Sequence, residues 1–85
     1  MTFRVRIETC AVRDLRKLDR ATAERILKRL ADVAHRGYGF EPLTNFDYGW
    51  KVRIGDYRAL CDIDFDAGVI SVYVVAHRRE VYKGR

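Results

Sequence analysis

Proline occurs once in this chain, at Pro42, and cysteine and histidine occur twice each. Two cysteines make no disulfide framework, so Cys10 and Cys61 are expected as free thiols. They also lie at no ligand spacing from the two histidines, which argues against a resident metal. No segment reads as a signal peptide, and the longest apolar run, Val69 to Ala76, is interrupted by Ser71 and much too short to span a bilayer. These absences point to a cytoplasmic protein that works without a membrane, a metal or a cofactor. There is likewise no repeat, low-complexity stretch or linker. The 85 residues have room for one domain, 1–85, with one modest core.

Acidic residues are also in short supply. Seventeen Lys and Arg face twelve Asp and Glu, giving a formal charge of +5 and a pI near 9.6. That excess suits a nucleic acid or ribosome partner, but its distribution says more than its size. Residues 1–40 hold ten Lys and Arg against five Asp and Glu, mostly at helical positions. There Arg13, Arg16, Lys17, Arg20, Arg25, Lys28 and Arg29 read as a solvated helix face. The cations of the second half fall on strands.

Hydrophobic periodicity supplies the fold. Phe3, Val5 and Ile7 alternate with Arg4, Arg6 and Glu8 as in a half-buried strand. The period then lengthens: Val12, Leu15 and Leu18 follow a candidate Thr9 cap. After a second cap at Asp19, Ala23, Ile26, Leu27, Leu30, Val33 and Ala34 trace a longer amphipathic face that Gly37 closes. Residues 38–47 read as one loop. Three strands follow as an antiparallel meander over roughly 48–54, 57–65 and 69–77. The expected architecture is α+β, in the order β-α-α-β-β-β.

Gly55-Asp56 between two alternating runs is a two-residue hairpin signal, and a hairpin fixes register. Ile54 then faces Tyr57, and Arg53 faces Arg58, with Lys51 on the same side. Like charges directly opposite one another are destabilising, so this arrangement suggests a place kept for an anion. The other face of the hairpin gathers Tyr48, Trp50, Val52, Ile54, Tyr57, Ala59, Cys61 and Ile63, enough to receive both helices. With Asp66-Ala67-Gly68 as a three-residue loop, Ile70, Val72 and Val74 join Leu60 on the cationic face, and Arg78 falls beside Arg58. That face is expected to be half apolar, half cationic and uncovered, which would suit a protein partner laid across Leu60, Ile70, Val72 and Val74.

The string Trp50-Lys-Val-Arg-Ile-Gly-Asp-Tyr-Arg58, the acidic Asp62-Ile-Asp64 and the closing His77-Arg-Arg-Glu-Val-Tyr82 resemble the RelE branch of the RelE/ParE toxin superfamily. These are the toxin halves of type II toxin–antitoxin modules. The resemblance implies a metal-independent endoribonuclease that cleaves mRNA in the ribosomal A site, leaving a 2′,3′-cyclic phosphate and a 5′-hydroxyl and so inhibiting translation. It also implies a RelB-like antitoxin as partner and a toxin–antitoxin complex that binds operator DNA. Residue by residue, it places Lys51, Arg53 and Arg58 on the RNA and adds Arg78 and Tyr82 to the catalytic set. His77 is not part of the family's set.

Arg53 and Arg58 suit stabilisation of a phosphorane because a guanidinium binds phosphate in a fixed fork. Tyr82 or Lys51 would take the 2′-proton, and Arg78 would serve the leaving oxygen. Unperturbed Tyr and Lys titrate near ~10 and Arg above ~12, so such roles call for a shifted pKa or a substrate-assisted geometry. The chain runs three residues past Tyr82, without the C-terminal helix of some relatives, so Tyr82 is expected on a mobile segment. A non-enzymatic ParE-type gyrase inhibitor, or an inactive antitoxin-binding relative, would share the same fold.

Overall fold

A computed structural model describes residues 2–82. Strand β1 (Arg4–Ile7) leads into helices α1 (Thr9–Arg16) and α2 (Arg20–Arg36). Then come β2 (Phe40–Pro42), β3 (Trp50–Ile54), β4 (Tyr57–Asp64) and β5 (Val69–His77). The strands form one mixed sheet in the order β1-β5-β4-β3-β2, with β1 parallel to β5 and the remaining pairs antiparallel. The α+β class and the expected element order hold. The addition is β2, inside the segment read as loop, where Phe40 pairs with Val52 and Pro42 with Trp50. Proline is tolerated there because β2 is an edge strand, which needs no second row of donors.

Both helix boundaries of α2 follow from its sequence. The Asp19 carboxylate accepts the Thr22 amide at 3.1 Å and the Thr22 hydroxyl at 2.6 Å, and these bonds hold Asp19 below its ordinary carboxyl pKa. Gly37 ends the helix at φ 79°, a left-handed geometry that costs glycine little. Helix α1 departs from expectation. Its N-cap is Glu8, with no side-chain cap bond, and Thr9 is already helical. The sheet explains this: the Glu8 amide still donates to the Val72 carbonyl at 2.9 Å, so extended backbone persists to the residue before the helix. β1 covers only the first half of β5. Beyond it the Val75 amide finds its acceptor in the Asp14 carboxylate of α1, at 2.9 Å.

Both helices pack on one face of the sheet. Ala11, Leu15, Ile26, Leu30, Val33 and Ala34 meet Val52, Ile54, Ala59, Cys61, Ile70, Val72 and Val75, all buried. At one end of this core Phe3, Phe40, Trp50 and Phe65 make edge-to-face contacts with centroids 5.3–6.3 Å apart. No helix among the described residues is long and apolar enough to cross a membrane.

The expected placement of β5 is half right, for two reasons that offset each other. Asp64 pairs with Val69, so the connecting loop has four residues, 65–68, rather than three. That single extra residue turns Ile70 and Val72 to the helix side, opposite Ile63 and Cys61. A bulge at Tyr73, where the register jumps from Cys61↔Val72 to Leu60↔Val74, then restores the alternation. Leu60 and Val74 therefore lie on the cationic face as expected, whereas Ile70 and Val72 belong to the main core. The strip of four apolar residues does not exist.

Nor is the cationic face uncovered. Leu60, Val74 and Val81 form a second buried cluster, packed by Leu43, Phe46, Tyr48, Tyr73 and Ala76. Tyr48 precedes β3 and stacks on Tyr73, centroids 4.9 Å apart, instead of joining the helix-side core. The segment between β2 and β3 and the turn after β5 thus close most of the face that the helices leave.

Candidate functional site

The β3–β4 hairpin has the expected register, with Ile54 opposite Tyr57, Arg53 opposite Arg58 and Lys51 opposite Leu60. Gly55 takes φ 57° at the first turn position while Asp56 does not, the pattern of a type II′ turn. This geometry projects Lys51, Arg53 and Arg58 from one face, bordering the Leu60–Val74 cluster. Arg58 lies opposite Ala76 rather than beside Arg78 as expected, because Arg78 falls past the end of β5 against Asp56, and His77 lies opposite Tyr57 on the helix side.

Each arginine of the patch has a partner. The Arg53 Nε lies 3.0 Å from the Glu41 carboxylate, and Glu41 is brought there by β2, where it pairs with Lys51. Arg58 folds back on its own hairpin, its Nη1 donating to the carbonyls of Gly55 and Tyr57 at 2.8 Å each. The Arg78 amide donates to the Asp56 carbonyl at 2.7 Å, and its Nε lies 3.8 Å from the Asp56 carboxylate. The repulsion expected between Arg53 and Arg58 is thus relieved by Glu41 on one side and by carbonyl dipoles on the other. Arg53, Arg78, Glu41 and Asp56 are well exposed, so these ion pairs are weak and replaceable.

The C-terminal turn completes the arrangement. The His77 carbonyl accepts from the amides of Glu80 and Val81 at 2.8 and 2.9 Å, which folds the chain back over the sheet and buries Val81 against Leu60 and Val74. Tyr82 then sits with its ring edge-on to Phe46, centroids 5.3 Å apart. It is 40% exposed, and residues 83–85 lie outside the described ones. Lys51, Arg53 and Arg58 therefore share a face with Tyr82, and Arg78 joins them at the hairpin turn.

Sequence reasoning missed Glu41, Asp56, Phe46 and Val81. Glu41 had no signal, because β2 was not visible in the sequence. Val81 did have one, as the sole aliphatic residue of the closing string. The thiol of Cys61 is pushed up to about 12, mainly by burial and secondarily by the Asp62 charge. At neutral pH it is an inert core group.

A small α+β sheet with a cationic open face, closed over at one end by its own C-terminal turn, fits a toxin of the type II toxin–antitoxin kind. Residues 5–82 match the family model described as ParE toxin of type II toxin–antitoxin system, parDE, and the chain belongs to that family within the RelE/ParE superfamily. Its fold is similar to the toxin–antitoxin complex RelBE2 from Mycobacterium tuberculosis, at 27% identity over 92% of this chain and 100% of that one, with a TM-score of 0.80. It is also similar to a double arginine-to-alanine mutant of E. coli toxin RelE in the free state, at 23% identity, 96% and 92% coverage and TM-score 0.76. The archaeal RelE–RelB complex from Pyrococcus horikoshii shares the fold at 23% identity, 94% and 99% coverage and TM-score 0.72. Among curated proteins no sequence matches.

Proposed function

We propose that this toxin is a ribosome-dependent endoribonuclease whose site is the patch of Lys51, Arg53, Arg58, Arg78 and Tyr82. The observation that carries the reading is the pairing of Arg53 with Arg58 directly across the hairpin, each guanidinium held by a carboxylate or by turn carbonyls, the kind of acceptor a phosphate oxygen replaces. In this reaction the 2′-oxygen attacks the neighbouring phosphorus and the bond to the 5′-oxygen breaks, giving a 2′,3′-cyclic phosphate and a 5′-hydroxyl. Arg53 and Arg58 stabilise the phosphorane charge. The 2′-proton goes to Tyr82 or Lys51 reacting in its deprotonated form, and the 5′-oxygen, beside Arg78, takes a proton from Arg78 or from water and leaves as the 5′-hydroxyl.

The cognate partner is an antitoxin of the RelB kind, as in the complexes this fold resembles. Its helix does not lie on Leu60, Ile70, Val72 and Val74, which the chain itself covers. An open apolar groove of about 360 Å³ lies between β1, α1 and α2, lined by Ile7, Val12, Leu15, Arg16, Ala23 and Leu27. An amphipathic antitoxin helix with an acidic flank fits this groove, because the exposed Arg16 lines it. The assembled pair binds operator DNA through the antitoxin.

The ParE name of the matching family motivates a second reading, inhibition of DNA gyrase without cleavage. Purified toxin is tested in parallel on programmed ribosomes and on gyrase. Cleavage of A-site mRNA with 5′-hydroxyl ends supports the endoribonuclease. Loss of supercoiling with intact mRNA supports the inhibitor instead.

A further inference from the structure

His77 stands at the end of β5, outside the set of residues assigned to the reaction, yet three consecutive amides converge on it. Its carbonyl accepts from Glu80 and Val81, at 2.8 and 2.9 Å. Its side-chain Nδ1 accepts from the Arg79 amide at 3.2 Å. The side chain of residue i taking the amide of residue i+2 is the bond by which Asn and Asp build turns, here made by histidine.

The ring also packs edge-on to Tyr57, its cross-strand neighbour, with centroids 5.6 Å apart and planes at 75°. His77 therefore joins two things: the hairpin strand that begins with Tyr57 and Arg58, and the turn that carries Arg78, Val81 and Tyr82. We infer that His77 is a positioning residue, whose Nδ1 acceptor sets the C-terminal turn so that Val81 is buried and Arg78 and Tyr82 are held on the cationic face. This rests on the endoribonuclease reading for its catalytic purpose, but the structural half of it stands on the hydrogen bonds alone. His77 exchanges no proton with substrate in this account. It acts through the backbone of the turn.

Two substitutions separate the acceptor from the ring. His77→Asn retains an acceptor at the position of Nδ1 and removes the ring contact with Tyr57. His77→Phe retains the ring contact and removes the acceptor. In the full-length protein, amide exchange at Arg79, Glu80 and Val81 should quicken by about tenfold in the Phe variant and by less than about twofold in the Asn variant, with the central strands unchanged in both. Single-turnover cleavage on programmed ribosomes should follow the same order, falling about tenfold in the Phe variant with ribosome affinity unaltered, and recovering in the Asn variant. Faster exchange in Asn than in Phe, equal loss in both, or no change in either overturns the inference. If the wild-type protein cleaves nothing, the endoribonuclease reading falls and the catalytic role with it. The exchange pattern then still decides whether His77 sets the turn.

Discussion

The two faces of this sheet are built from the same strands, yet they are closed by different means. The helix-side face is sealed by two amphipathic helices and buries fourteen core residues in one cluster. The other face is sealed by irregular chain, with three buried residues, Leu60, Val74 and Val81, ringed by aromatics and bordered by Lys51, Arg53 and Arg58. A small domain has few apolar contacts to spare, and here nearly all of them are spent on one side. The other side holds clustered cations, each arginine balanced by an exposed carboxylate or by turn carbonyls. On the endoribonuclease reading proposed above, stability and chemistry are divided between faces.

Breaking the larger cluster should have the largest effect. Val72, fully buried on the helix side opposite Cys61, cannot accept a charge there, because a carboxylate would lose its hydration with no partner in reach. Val72→Asp should cost more than about 4 kcal/mol and abolish the cooperative melting transition. A folded Val72→Asp protein with weakened antitoxin binding would put Val72 on the open face after all.

That substitution also marks the limit of what could be read from the chain. The hairpin register was legible because Gly55-Asp56 leaves no freedom in how its strands pair, so Lys51, Arg53 and Arg58 could be placed from residue types alone. Helix α2 was legible from the Asp19 cap and Gly37. The facing of Ile70 and Val72 was not, because Phe65 enters the loop and Tyr73 the bulge, and neither residue type signals such a role. Phe65 reads as one more strand aromatic, yet it folds into the aromatic group with Phe3, Phe40 and Trp50. Coverage of the open face was hidden for a similar reason: Leu43, Phe46 and Tyr48 have no periodicity, and their burial follows from where the irregular chain runs. The charges and their register were therefore visible, and the counter-charges Glu41 and Asp56 were not assigned to them.

The helix-side groove sharpens the comparison from the partner's side. Leu27 is 41% exposed on it and contributes little to the core. Leu27→Asp should leave the melting temperature within a few degrees while weakening antitoxin affinity by about tenfold or more, as measured by titration of the free toxin. Unchanged affinity would move the antitoxin to another surface.

A smaller effect concerns the thiols. Cys10 is exposed and Cys61 buried, so a neutral alkylating reagent should modify Cys10 within minutes and Cys61 only on unfolding, as counted by mass. Because burial raises the folded pKa of Cys61 from 9.0 to about 12, the unfolded chain loses its thiol proton first. The stability that Cys61 contributes is thus complete below pH 9 and declines as pH rises toward 12. Urea midpoints flat across that range for this protein, or an equal fall in a Cys61→Ala control, would contradict the assignment.

The division between faces is tested most directly at Arg58, by measuring the single-turnover cleavage rate of ribosome-bound mRNA and the melting temperature on the same Arg58→Ala preparation. Arg58 donates to two turn carbonyls but buries no core, so the melting temperature should shift by only a few degrees. Cleavage should fall by about a hundredfold or more as one phosphorane contact disappears. A large drop in melting temperature with cleavage retained would contradict the account, making Arg58 a structural clasp of its hairpin and leaving the open face without its chemistry.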